Sequence, residues 1–211
     1  AIALLLVRGN ALLPAIIAGA FAANYAVTPS LPTAAIIALG NGAEAFVATL
    51  LLQRWARGEH VFQSPTGVGK FAVIVTAVAA PISATVGVTA LAITGFAERA
   101  DAVPIWITWW LGNLAGAILT APALVLWART VRGEEPAPLA ANALLSFASA
   151  LLISTIAFSP VSPVPISSRS ALAFLVIMPL LWSALRLGLR ETATMALLIS
   201  SFAVWGVIAG S

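Results

Sequence analysis

Apolar runs of roughly twenty residues recur along this chain, separated by short polar breaks. A helix of that length crosses the hydrocarbon core of a bilayer. The repetition constrains the fold more than any motif does. A water-soluble fold would have to hide every run behind a charged surface, and charged residues make up 8% of the 211, against about 25% in soluble domains. A transmembrane barrel would show short segments of alternating polarity, which the sequence lacks. The expected fold class is therefore all-α, a polytopic transmembrane helix bundle with the lipid bilayer as its partner.

The runs place seven complete spans near 11–27, 33–53, 70–94, 104–128, 139–158, 170–186 and 191–209, after a truncated N-terminal helix at 1–7. The breaks carry turn chemistry: Arg8-Gly9-Asn10, Thr28-Pro29-Ser30-Leu31-Pro32, Gly133-Glu134-Glu135-Pro136 and the Pro-rich stretch from Ser159 to Ser168. The chain starts at Ala1 rather than Met and stops at the end of an apolar run. It reads as one integral-membrane domain, 1–211, excerpted from a longer protein.

Cations set the direction of each crossing. Arg54, Arg57 and Lys70, then Arg129 and Arg132, then Arg186 and Arg190 lie in three breaks that alternate with nearly uncharged ones. Arg8 falls on the same side, and Arg99 and Arg169 on the other. Short loops rich in Lys and Arg stay in the cytoplasm. Loops 54–70, 129–138 and 186–190 are thus expected inside, and 28–32, 95–103 and 159–169 outside. Trp106, Trp109 and Trp110 near one end of the fourth span, with Trp55 and Trp127 at cytoplasmic ends, suit interfacial indoles. The net charge of +3 reports topology, and no nucleic-acid partner is expected.

Leu39-Gly40-Asn41, thirteen residues, then Trp55-Ala56-Arg57 is echoed 72 residues on by Leu111-Gly112-Asn113, thirteen residues, then Trp127-Ala128-Arg129. Pro32 and Pro104 match at the same offset. The echo reads either as a parallel two-span repeat or as coincidence in an Ala/Leu-rich chain.

Glu44 stands near the middle of the second span, where an ionisable group is costly unless neutral or paired. Asn41 lies one turn away on the same face, and Asn113 is its counterpart in the fourth span. Gly112 and Gly116 there suit close approach of another helix. Asn24 lies near the outer end of the first span. These polar groups either surround a pocket or join helices by hydrogen bonds. Kinks are expected at Pro81 to Gly87, with Ser83 and Thr85 serving freed carbonyls, and at Ala121-Pro122 and Met178-Pro179. Arg186 and Arg190 read as simple anchors.

Several chemistries are excluded. Cysteine is absent, and His60 is the one histidine, so no thiolate, metal or Ser–His–Asp site can be assembled. Gly67-Val68-Gly69-Lys70 lacks the full spacing of a phosphate loop. No cofactor and no catalytic residue are expected in this region.

Five strings, in order and spacing, resemble the first class of membrane-associated sensor domains. They are Pro14 through Asn24 (PAIIAGAFAAN), Leu39 through Glu44 (LGNGAE), Pro81 through Val88 (PISATVGV), Trp109 through Pro122 (WWLGNLAGAILTAP) and Pro179 through Gly188 (PLLWSALRLG). The resemblance implies the inner-membrane input module of a bacterial histidine kinase or diguanylate cyclase. It implies a further span leading to a cytoplasmic effector in the same chain, and a homodimer. That family commonly has Asp where this chain has Asn113, so hydrogen bonding is the role that carries over there, not charge.

Together these readings predict that an unknown small-molecule signal binds between helices at Asn24, Asn41, Glu44, Trp109, Trp110 and Asn113. Glu44 would anchor it, the asparagines would hydrogen-bond it, and the tryptophans would form an outer wall. A small-solute transporter or carrier subunit is the alternative, since a parallel repeat, kinked spans and a mid-membrane carboxyl suit it. A ligand-free anchor is the third reading, and it has no need of Glu44.

Overall fold

A computed structural model describes residues 1–134 and 140–209, with the side chains in these ranges except those at 140–142, 166, 167, 170 and 171. Every regular element among the described residues is helical. The chain divides into two compact units, Ala1–Val125 and Leu126–Ser211. By length and apolarity, five helices among the described residues can cross a membrane: Asn10–Val27, Leu31–Trp55, Pro65–Ile93, Arg99–Val131 and Leu189–Ile208. The spans expected near 139–158 and 170–186 correspond to shorter apolar helices, Ala143–Phe158 and Phe174–Arg186. Of the break expected at Gly133 to Pro136, Glu135 and Pro136 lie outside the described residues, as does the rest of the 129–138 loop beyond Glu134.

The first unit holds α1 (Ile2–Arg8), α2 (Leu13–Val27), α3 (Leu31–Trp55), α4 (Pro65–Ile74), α5 (Ala80–Ile93) and most of α6 (Ala102–Val131). Its centre is α3, against which α1, α2 and α5 pack. The buried face of α3 is nearly all small: Ala34, Ala38, Gly40, Gly42, Ala45 and Ala48. Lipid supplies no hydrophobic drive between helices, so small residues that let backbones approach give the dispersion contacts that join them. A Cβ on Gly42 would stand 2.6 Å from Ile17 of α2, and one on Gly40 would stand 2.7 Å from Val86 of α5. Both separations lie inside van der Waals contact, so neither position admits a side chain without movement.

The third apolar run starts at Pro65, earlier than expected. Ser64 Oγ accepts the Gly67 backbone N–H at 3.1 Å, and Pro65 takes the first helical position, where its missing N–H costs nothing. Gly67-Val68-Gly69-Lys70 therefore opens a helix. A Cβ on Gly67 would fall 2.1 Å from the Val61 carbonyl oxygen. Lys70 Nζ donates to the Trp55 carbonyl at 2.8 Å, which caps the end of α3.

Pro81 acts on this run through a π turn at Val75–Ala79, between α4 and α5. The Ala80 N–H reaches back five residues to the Val75 carbonyl. The next bond in that register would join residue 81 to the Thr76 carbonyl, and proline has no N–H to give. Trp110 of α6 supplies the donor instead: its Nε1 lies 2.9 Å from the Thr76 oxygen. Ser83 and Thr85 do not serve freed carbonyls as expected. Ser83 Oγ donates to Asn41 Oδ1 at 2.6 Å, and Thr85 Oγ1 accepts Trp106 Nε1 at 3.0 Å. Pro122 lies inside α6, which continues past it as α-helix.

The second unit holds the last turns of α6 with α7 (Ala140–Phe158), α8 (Ile166–Ala173), α9 (Ile177–Arg186) and α10 (Leu189–Ile208). Ala150, Met195 and Ile199 form its buried centre, with Phe147, Phe158 and Leu180 against them. Ahead of Pro179, where a kink is expected, residues Phe174–Val176 tighten into a 3₁₀ turn. In the Pro-rich break, Arg169 donates to three carbonyls, of Val164 (2.7 Å), Ser159 (3.0 Å) and Ser162 (3.3 Å). One guanidinium thus satisfies a loop that has little backbone pairing of its own.

Arg190 is more than an anchor. It is 5% exposed and Glu191 is 7% exposed. Its Nε donates to Glu191 Oε1 at 2.6 Å, and its Nη2 to the same oxygen. Its Nη1 donates to Thr130 Oγ1 at 2.9 Å, and its Cζ lies 4.9 Å from the centroid of the Trp127 ring. Trp127 Nε1 in turn donates to Thr194 Oγ1 at 2.8 Å. A buried ion pair therefore ties the end of α6 to the start of α10.

Candidate functional site

A cavity of about 480 Å³ opens within the first unit, between α1, α2, α3 and α6. Asn41 and Glu44 reach it from α3, because a spacing of three residues puts both on one face. Asn113 reaches it from α6. The remaining wall is apolar or small and includes Ile16, Gly19, Ala45, Gly112, Gly116 and Leu124. The α6 lining residues 112, 113, 116, 117, 120, 121 and 124 form one helical stripe.

Asn113 Nδ2 donates to Glu44 Oε2 at 2.9 Å, across 69 residues of sequence. Asn41 Oδ1 accepts Ser83 Oγ from α5. Two hydrogen bonds, Asn113–Glu44 and Ser83–Asn41, thus fix four polar side chains from three helices, three of them lining the cavity. Such bonds are worth most in a low-dielectric setting, where an unmet polar group is expensive.

Three of the six expected site residues come together here: Asn41, Glu44 and Asn113. The other three lie elsewhere. Asn24 Nδ2 donates to the Ala20 carbonyl one turn back at 2.7 Å, and Asn24 does not line the cavity. Trp109 packs its ring on Gly87, where a Cβ would stand 2.6 Å from the indole. Trp110 bonds Thr76. These indoles seat α6 on the helix before it instead of walling a pocket. Gly112 and Gly116 also take a different role from the expected one. A Cβ on either meets no atom within 4 Å, so they widen the cavity and admit no neighbouring helix. Ser83 is the site residue missed from sequence; its mid-span position beside Pro81 suggested local backbone bonding.

The chain belongs to the MASE1 family of membrane-associated sensor domains, whose model matches residues 1–211. It is accordingly a multi-pass membrane domain of the sensory input type found in signalling proteins. No curated protein matches the chain. No solved structure matches it either.

Proposed function

We propose that the cavity beside Glu44 receives a small-molecule signal, and that its occupancy changes helix packing read out by a cytoplasmic histidine kinase or diguanylate cyclase in the same chain. The observation that carries this reading is the meeting of Asn41, Glu44 and Asn113 at one cavity wall. An anchor without a ligand has no use for a mid-span carboxyl, which costs roughly 3 kcal/mol on insertion scales. Sensing requires two packings with different affinity for the signal. The whole protein would act as a homodimer, with this domain in the bacterial inner membrane.

Two experiments bear on this. In the full-length protein, Glu44→Gln and Asn113→Leu are expected to weaken the response to the signal by about ten-fold or more, the worth of a hydrogen bond to a charged group. Normal output from either variant at normal membrane abundance would remove the site from consideration. Solute accumulation by vesicles holding this region would favour a carrier instead. The topology is checked separately. The chain has no cysteine, so His60→Cys and Glu98→Cys variants report side directly. Labelling by an impermeant reagent is expected from the cytoplasm at 60 and from outside at 98.

A further inference from the structure

The charge and hydrogen-bonding balance of the cavity restricts what it can hold. Glu44 is the one titratable side chain in its lining, and no Lys, Arg or His side chain joins it. Glu44 Oε2 takes a proton from Asn113, and the one Ser83 proton goes to Asn41. Among the described residues, Asn113 Oδ1 holds no hydrogen bond, while its Nδ2 is spent on Glu44. The wall is therefore richer in acceptors than in donors. An anionic ligand would bring its charge beside a carboxyl in a low-dielectric site whose lining holds no cationic side chain. A ligand with a compact cationic donor head would meet acceptors that already stand there.

The rest of the wall sets the body of the ligand. Ile16, Leu124 and Ala45 offer apolar contact, and Gly112 and Gly116 leave room beside them. A volume of about 480 Å³ suits a small molecule and is too small for a lipid with two acyl chains.

We propose that the cavity takes a small organic ammonium, with its charged head on Glu44 and Asn113 and a short apolar body against Ile16 and Leu124. This rests on reading the cavity as the signal site.

A matched set of probes tests the class: hexylammonium, 1-hexanol and hexanoate, which share a chain and differ in head charge. The readout is the thermal midpoint of the purified 1–211 chain in detergent, titrated with each probe. Hexylammonium is expected to raise the midpoint at the lowest concentration. Glu44→Gln should weaken its apparent affinity by about ten-fold or more. Asn113→Asp, which adds a carboxyl at the wall, should strengthen it. Should Glu44→Gln fold poorly, Asn113→Asp still gives a gain that misfolding cannot mimic. Equal stabilisation by hexanol or hexanoate, still abolished by Asn113→Leu, would overturn the ammonium class and leave the signal site standing. Hexylammonium stabilisation unchanged in Glu44→Gln and Asn113→Asp would mark micelle partitioning and overturn the class as well. No stabilisation by any probe, together with normal output from Glu44→Gln in the full-length protein, would overturn both readings.

Discussion

Glu191→Ala is expected to lower the stability of the second unit by about 3–5 kcal/mol, the typical loss when one partner of a buried ion pair is removed. The substitution strands the Arg190 guanidinium at 5% exposure. Thr130 and the Trp127 ring remain beside it, and neither carries a charge. The control is the double variant Arg190→Met with Glu191→Leu. It removes both charges while keeping volume, so most of the stability should return, because the desolvation penalty leaves with the attraction. Thermal melting in detergent measures both. A Glu191→Ala protein that melts with the parent would show that water reaches Arg190, and the ion pair would then count as a surface contact worth under about 1 kcal/mol.

Gly87→Val should displace α6. The Cβ alone would stand 2.6 Å from the Trp109 indole, a large rigid ring that must move to admit it. Overpacking of this kind costs about 1–3 kcal/mol. Its functional effect should be larger, because α6 also carries Asn113, and a shift of about 1 Å breaks a 2.9 Å bond to Glu44. Loss of response in the full-length protein should therefore accompany a modest fall in melting temperature. Adding Trp109→Ala should restore part of the stability, since contacting residues couple in double-mutant cycles. Gly112→Ala is the contrasting case. It meets open space, so stability should hold or rise by a few tenths of a kcal/mol from helix propensity. If Gly87→Val and Gly112→Ala behave alike, the seating of Trp109 on Gly87 is not what holds α6.

The two glycine sets show where reading the residues in order stops. Gly40, Gly42, Gly87, Gly112 and Gly116 share one chemistry and one kind of setting, an apolar helix. Three of them meet another helix at less than contact distance, and two face a void. Nothing local separates the groups, because the difference is made by the partner helix. The tryptophans are similar. An indole near the end of an apolar run suits a membrane interface, and that much is legible. That Trp110 completes a π turn depends on a bond register lost at Pro81, which frees the Thr76 carbonyl 34 residues before it. Arg190 read as an anchor because its neighbours in sequence are a loop; Thr130 and Trp127, 60 and 63 residues back, bury it.

What the residue order alone determined was the solvent and the helices. Twenty apolar residues in a row must leave water, and backbone groups in lipid must bond within their own segment, so length and hydropathy fix an all-helical membrane fold, while the start of the third run at Pro65 and the shorter helices at Ala143–Phe158 and Phe174–Arg186 were not legible. Glu44 and Asn41 could be set on one helical face for the same reason, since three residues make nearly one turn. Only the tertiary structure decided that Asn113 meets Glu44, that Ser83 meets Asn41, and that Asn24, Trp109 and Trp110 stand apart. Those pairings depend on close approach at glycines and on a cavity left where approach fails. Distances between helices are set by packing, which no single helix contains.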